Sequence, residues 1–280
     1  MKKILITGAG SYIGTSFENY INTNFPDKYT VDTVDMIGDG WKEKDFSPYD
    51  TVFHVAGIAH RKETKENAAL YYKVNRDLAI ETAKKAKNDG VKQFVFLSSM
   101  SVYGMDTGVI TKNTVPSPKS NYGKSKLQAE NGIKELEDCD FRVCILRPPM
   151  VYGEGCKGNY QALVRIAKKI PVFADYKNQR SMVHIDALSK FVKNVIDNNC
   201  NDILFPQDPE YVCTCKMVQD IAENMGKNMR LCKMLNPFVS ILKNCTVKGR
   251  KAFGSLIYDI EDNQDYHDAT VNSSNGNKNT

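Results

Sequence analysis

The chain has 280 residues, 41% apolar and 25% charged, a globular balance that excludes wholesale disorder. Its 38 basic and 33 acidic residues leave a net charge of +5, too small to mark a nucleic-acid binder. No apolar run reaches the roughly 18 residues a bilayer span needs. Ile4-Leu5-Ile6 is too short for a secretory signal, so a cytoplasmic protein without a transmembrane segment is expected.

Taken in chain order, Lys3 to Thr7 reads as a buried strand, followed by a glycine-rich turn and a helix to about Thr23. Thr30 to Asp35 and Thr51 to Ala56 read as the next strands, and Ala68 to Asp89 as a helix with a lysine-rich outer face. Gln93 to Ser98 is a strand, Leu127 to Leu136 a helix, and Arg142 to Leu146 a strand closed by Pro148-Pro149. This alternation predicts an α/β, Rossmann-type doubly wound parallel sheet over 1–150. Beyond it, helices at Gln161 to Lys169 and Ile185 to Asp197 predict a smaller α-rich substrate domain over 151–260. The polar stretch 261–280 reads as a flexible tail.

All eight cysteines follow Asp138, which argues against a disulfide framework, and the lone Cys213-x-Cys215 pair lacks a second pair to complete a zinc site. The histidines at 54, 60, 184 and 267 have no metal-ligand spacing. No metal is expected.

Two motifs carry chemistry. Thr7-Gly8-Ala9-Gly10-Ser11-Tyr12-Ile13-Gly14 stands between a strand and a helix, the setting in which a pyrophosphate rests on a helix N-terminus. Asp35 follows about 20 residues after that turn, where a carboxylate meets the adenosine ribose and repels a 2′-phosphate, favouring NAD over NADP. The second motif is Tyr122-Gly123-Lys124-Ser125-Lys126, with Tyr122 and Lys126 on one helical face. A phenol titrating near about 10 is a poor base at neutral pH. A neighbouring ammonium and a positive nicotinamide ring both favour its phenolate.

Together with His54-Val55-Ala56-Gly57, Asn75, Ser98-Ser99-Met100-Ser101-Val102-Tyr103-Gly104, Leu146-Arg147-Pro148 and Arg180 to Leu188, these motifs make the sequence resemble the extended short-chain dehydrogenase/reductase family. Within it, the chain is most similar to NAD-dependent nucleotide-sugar epimerases and dehydratases of the UDP-glucose 4-epimerase type found in bacterial polysaccharide pathways. The resemblance spans about residues 1–260. It implies Ser99, Tyr122 and Lys126 as the catalytic group, with Ser99 bonding the sugar oxygen, Tyr122 as acid/base and Lys126 on the nicotinamide ribose. It implies cofactor contacts from Gly8, Gly10, Ser11, Tyr12, Ile13, Gly14, Asp35, Asp45, Phe46, Ala56, Gly57, Asn75 and Pro149. Asn159 and Arg180 fall on the UDP-sugar side, where a guanidinium suits a diphosphate.

Ser11 replaces the usual middle glycine of the turn, and Ile58-Ala59 stands where many epimerases carry a lysine; His60-Arg61 reads as an exposed loop pair or as its substitute. Met100-Ser101 lacks the acid pair of the dehydratases. The expected activity is 4-epimerisation of a UDP-hexose through a transient 4-keto sugar. A 4-keto-sugar reductase shares every named residue, and a dinucleotide sensor is the alternative outside catalysis. The family also implies a homodimer, paired through the 68–89 helix and the helix beginning near Tyr122. Finally, 227–251 holds seven basic residues and no acidic one. Solvated lysines, attraction of a diphosphate, or contact of Phe238, Val239, Ile241 and Leu242 with an anionic membrane would each explain it.

Overall fold

The computed structural model describes residues 1–59, 63–156 and 158–260; the 261–280 tail and the His60-Arg61 pair lie outside the described residues. The first half runs β1 (Lys2–Thr7), α1 (Tyr12–Asn24), β2 (Tyr29–Val34), β3 (Thr51–His54), α2 (Ala68–Tyr71), a π-helical turn (Tyr72–Asp77), α3 (Leu78–Asn88) and β4 (Gln93–Leu97). A 3₁₀ turn (Met100–Tyr103), β5 (Gly108–Ile110), α4 (Asn121–Lys134) and β6 (Arg142–Leu146) follow. The remainder comprises β7 (Met150–Tyr152), α5 (Asn159–Lys169), β8 (Val172–Ala174), β9 (Met182–His184), α6 (Ile185–Asp197) and β10 (Ile203–Leu204). After these come α7 (Thr214–Asn224), β11 (Arg230–Cys232), α8 (Asn236–Cys245), α9 (Val247–Phe253) and β12 (Leu256–Tyr258).

The central sheet has six parallel strands in the order β10-β6-β4-β3-β1-β2. Both its faces are covered, which is why its inner strands are continuous apolar runs rather than alternating ones. Successive residues of β1 show the two layers. Ile4 and Ile6 pack with Phe17 and Ile21 of α1 and Leu188, Val192 and Val195 of α6. Leu5 points to the other face, among Ala79, Ala83 and Ala86 of α3 and Ala129 and Ile133 of α4. Small alanines at helical spacing let α3 lie close to the sheet. The strand order reverses between β1 and β3, so a crevice opens there at the strands' C-terminal ends.

The second lobe has its own core, in which Met182, Cys215, Val218, Ile221 and Phe253 meet. A cut of the chain at 150 is nevertheless too simple. α6 packs on α1 and β10 pairs with β6, so residues 185–204 return to complete the first lobe. The periodicity of Ile185 to Asp197 marks a helix but not which sheet it covers. Among the described residues, no helix is long and apolar enough to cross a membrane.

His54 ends β3 with no exposed surface, and its Nδ1 lies 2.8 Å from Thr7 Oγ1. Its Nε2 is buried without a hydrogen-bond partner among the described residues. Burial, reinforced by the Lys126 charge, pushes its pKa down to about 3, so the folded protein holds a neutral ring. The unfolded chain binds a proton there below about 6.5, so stability falls as pH drops from that value towards the folded pKa. Between pH 7 and 5 this one group is expected to cost about 2 kcal/mol. Urea titrations at the two pH values should show that slope in the parent chain and its loss in His54→Asn; an unchanged slope in the variant would assign the effect elsewhere.

Candidate active site

The glycine turn sits at the reversal point of the sheet. Gly8 has φ +112°, and a Cβ there would lie 2.9 Å from the Ala56 nitrogen, so β1 and the β3 exit approach closely only because the position is glycine. Gly10 has φ +71° with open space beside it. Ser11, where the usual pattern has glycine, has φ −71° and needs no glycine. It caps α1 instead, its hydroxyl accepting from Gly14 N at 3.2 Å. The turn therefore keeps its shape and leaves the N-terminus of α1 facing the crevice. Tyr12 and Ile13 open that helix, and the Tyr12 hydroxyl donates to the Glu154 carbonyl at 2.8 Å, joining the two lobes over the turn. This cradle fits a dinucleotide pyrophosphate.

Asp35 lies one residue past β2, beside the Val34 carbonyl that receives both Gly8 N and Ala9 N. Its exposed carboxylate accepts from Ile37 N at 3.0 Å. Asp35→Ala is expected to weaken NAD binding about tenfold, the worth of one hydrogen bond to a charged group, and to narrow the preference over NADP. Titration calorimetry with both dinucleotides would show it; equal affinities in the parent chain would move the ribose away from Asp35.

Asp45 is exposed, its carboxylate accepting from both Ser47 N and Ser47 Oγ. Phe46, which the resemblance sets near the adenine, turns its side chain inward. Its ring is fully buried in the core under Lys85, and its N–H donates to Asp89. An apolar ring two residues before a turn looks the same in sequence whether it faces a ligand or the core.

Ser99, Tyr122 and Lys126 converge at the end of β4. Ser99 caps the 3₁₀ turn by accepting from Ser101 N at 3.1 Å, while Met100 N donates to the Pro148 carbonyl at 2.9 Å, fixing the Pro148-Pro149 turn alongside. Tyr122 stands in the first turn of α4, where the Ser120 hydroxyl accepts from Gly123 N. The Glu63 carboxylate accepts from Asn121 N at 2.9 Å and Tyr122 N at 3.1 Å. A carboxylate there also opposes the positive end of the helix dipole.

Burial lifts the Tyr122 phenol above its ordinary pKa, the nearby Ser99 hydroxyl draws it back, and the neighbouring Tyr71 raises it. The net shift is upward, contrary to the expectation of a phenol lowered by Lys126. Burial is the largest cause, and the ammonium is engaged elsewhere: Lys126 Nζ donates to the Leu97 carbonyl at 2.8 Å and stands 4.6 Å from the Phe96 ring centre. Burial brings its own pKa down to about 8, partly offset by Glu130. The chain's own groups thus keep Tyr122 protonated.

Asn75, buried in the π-helical turn, accepts from Ile58 N at 2.8 Å and donates to Ile58 O at 3.1 Å and Ser125 Oγ at 3.3 Å. It clamps the loop after Ala56-Gly57 against α4. A Cβ on Gly57 would lie 2.9 Å from Asn75 Oδ1 and 3.4 Å from Lys126 Nζ, so this loop needs its glycine. The extra residue of a π turn aims Asn75 inward, a device common at functional sites.

Sequence reasoning missed Glu63, Tyr71, Ser125 and Glu130. Glu63 lies too far along the chain to leave a local signal. Glu130 was findable, since Tyr122, Lys126 and Glu130 recur every four residues on one face. Its carboxylate, 2% exposed, is paired with Arg147 at 2.6 Å and receives the Ser98 hydroxyl. Arg147 also donates to Tyr103 at 2.8 Å.

The second lobe's candidates stand apart. Asn159 begins α5 and is exposed. Arg180 pairs through its backbone with Val212, and its Nη1 donates to the Gly254 carbonyl at 2.9 Å. Neither hydrogen-bonds to Ser99, Tyr122 or Lys126 among the described residues.

A doubly wound parallel sheet with a glycine turn at its crevice and a grouped serine, tyrosine and lysine defines a dinucleotide-binding protein of the short-chain dehydrogenase/reductase type. The chain belongs to the NAD dependent epimerase/dehydratase family, whose model matches residues 4–203. NAD is the family's cofactor. A UDP-glucose 4-epimerase from Vibrio cholerae is 31% identical over 251 residues, 81% of this chain and 76% of the relative. The N-acetyl-alpha-D-glucosaminyl-diphospho-ditrans,octacis-undecaprenol 4-epimerase of Escherichia coli O157:H7 is 28% identical over 211 residues, 70% of this chain and 63% of its own length. The fold is also that of a UDP-glucuronic acid 4-epimerase from Bacillus cereus crystallised with NAD (TM-score 0.69, 19% identity, 92% of this chain and 90% of that one).

Proposed function

We propose that the protein epimerises a UDP-hexose at C4 as a cytoplasmic step of polysaccharide synthesis. The observation that carries this reading is the grouping of Ser99, Tyr122 and buried Lys126 at the end of β4, with Lys126 Nζ on the Leu97 carbonyl. NAD, when bound, supplies the electron-pair acceptor and donor. Ser99 holds the sugar O4. The Tyr122 phenolate, favoured by the positive nicotinamide ring of bound NAD and not by the chain's own groups, takes the O4 proton as C4 becomes a carbonyl and returns it when the opposite configuration forms. Lys126 keeps a positive charge under that exchange. Asn75 and Gly57 hold the loop that faces the cofactor, Asp35 and Asp45 serve the adenosine end, and Arg180 and Asn159 serve the diphosphate side. A hexose on a polyprenyl diphosphate, the substrate named for the E. coli relative, presents the same C4 and the same diphosphate. That relative favours it as the second reading.

Purified protein incubated with UDP-glucose, UDP-galactose and their N-acetylated counterparts should interconvert one pair without consuming added dinucleotide. Stoichiometric consumption with a 4-keto sugar would instead make it a reductase. The active form is a homodimer paired through α2–α4. Ala79 and Ile133 are spent on the sheet, so pairing falls to the polar outer faces of these helices. Light scattering should give twice the 31.5 kDa chain mass; a single species at 31.5 kDa would contradict it.

A further inference from the structure

The basic 227–251 segment carries a second feature that the reaction does not use. On α8, Val239 is buried under the second lobe while Phe238 (71% exposed), Ile241 (62%) and Leu242 (45%) face solvent. Their three- and four-residue spacing makes one stripe along the helix. Met234, 84% exposed in the preceding 3₁₀ turn, extends the stripe by a turn, and Val247, at the start of the packed α9, is 51% exposed. Single exposed apolar residues are ordinary, but a stripe of them on one helix marks a contact surface.

The charge that the segment itself carries is of one sign. Lys233, Lys248 and Lys251 are exposed and form no ion pair among the described residues, and 227–251 contains no acidic side chain. Other basic groups are committed: Lys243 donates to the Tyr176 hydroxyl at 2.6 Å, Lys227 to the Lys168 carbonyl, and Arg250 faces Asp106. Of the open cations, Lys233 lies in the turn before α8 and Lys248 and Lys251 on α9, beside the stripe, while exposed Arg230 stands on β11.

We propose that α8 and α9 dock the protein on an anionic phospholipid surface. Phe238, Ile241, Leu242 and Met234 enter the boundary between headgroups and acyl chains, and Lys233, Lys248 and Lys251 lie at the phosphate level. An apolar stripe facing solvent supplies the insertion, and the open lysines beside it select a negative bilayer over a neutral one. The same hairpin runs directly into Gly254, whose carbonyl receives both Arg180 Nη1 and Asn178 Nδ2. Docking therefore sets the diphosphate side of the second lobe next to the membrane. The inference does not depend on which sugar is turned over.

Sedimentation of the full chain with vesicles tests it. The protein should partition onto phosphatidylglycerol–phosphatidylcholine vesicles, bind pure phosphatidylcholine at least about tenfold more weakly, and be released by salt. Phe238→Asp with Ile241→Asp should lower partitioning about tenfold or more with an unchanged Tm and circular dichroism spectrum. Lys248→Gln and Lys251→Gln should each weaken binding to the anionic vesicles about fivefold and leave phosphatidylcholine unaffected. Absence of binding to anionic vesicles, or equal binding to both kinds, would overturn the proposal. So would light scattering in which the aspartate pair splits a dimer, because the stripe would then join two copies of this chain.

Discussion

Tyr122→Phe is expected to lower turnover by about a hundred- to ten-thousandfold while leaving folding and NAD retention intact. The substitution keeps the ring, and with it the edge contact to Tyr71 at 6.5 Å between centres, and removes only the hydroxyl that Ser99 contacts. The backbone N–H groups held by Glu63 are likewise untouched. Steady-state assays on the converted UDP-sugar pair, with Tm as the folding control, would read this directly. Turnover within a few-fold of the parent would show that another group moves the O4 proton.

Glu130→Ala is expected to be the most damaging single change to stability, at about 3–5 kcal/mol in urea titration. The pair is almost wholly buried, with Arg147 7% and Glu130 2% exposed, so removing the carboxylate strands a guanidinium in the core. Ser98 loses its acceptor at the same time. Replacing both partners together, as Glu130→Leu with Arg147→Met, should recover much of the loss, because two well-packed apolar groups often equal a buried pair. A second readout separates this from simple unfolding. Glu130 raises the Lys126 pKa, so Glu130→Gln, which keeps the shape, should move the alkaline limb of activity to lower pH. A loss below about 1 kcal/mol in Glu130→Ala would show that Arg147 finds solvent or another anion.

The fold was legible because a parallel sheet covered on both faces writes its strands as unbroken apolar runs, and Ile4-Leu5-Ile6 is such a run. Helix α6 was legible to its end residues, since its apolar stripe is nearly complete. Periodicity shows α4 only from Leu127, and it is the Tyr122-to-Lys126 motif that marks a start near Tyr122. The first turn, Asn121-Tyr122-Gly123-Lys124, is poor in apolar periodicity and held by Ser120 and the distant Glu63. The return of 185–204 to the first lobe was hidden for the same reason, because pairing partners far apart in sequence leave no local mark. At the site, Ser99, Tyr122 and Lys126 could be named from the motifs together with the family resemblance, yet the direction of the Tyr122 shift could not. That direction depends on burial and on an ammonium turned to the Leu97 carbonyl.

The most direct test of reversible oxidation at C4 follows an isotope. UDP-glucose carrying deuterium at C4, turned over by the purified protein in the presence of added unlabelled dinucleotide, should yield UDP-galactose with the deuterium still at C4. None should appear in the free dinucleotide pool. Loss of the label to solvent or to that pool, or a product reduced at the expense of the added cofactor, would contradict epimerisation within a single bound substrate.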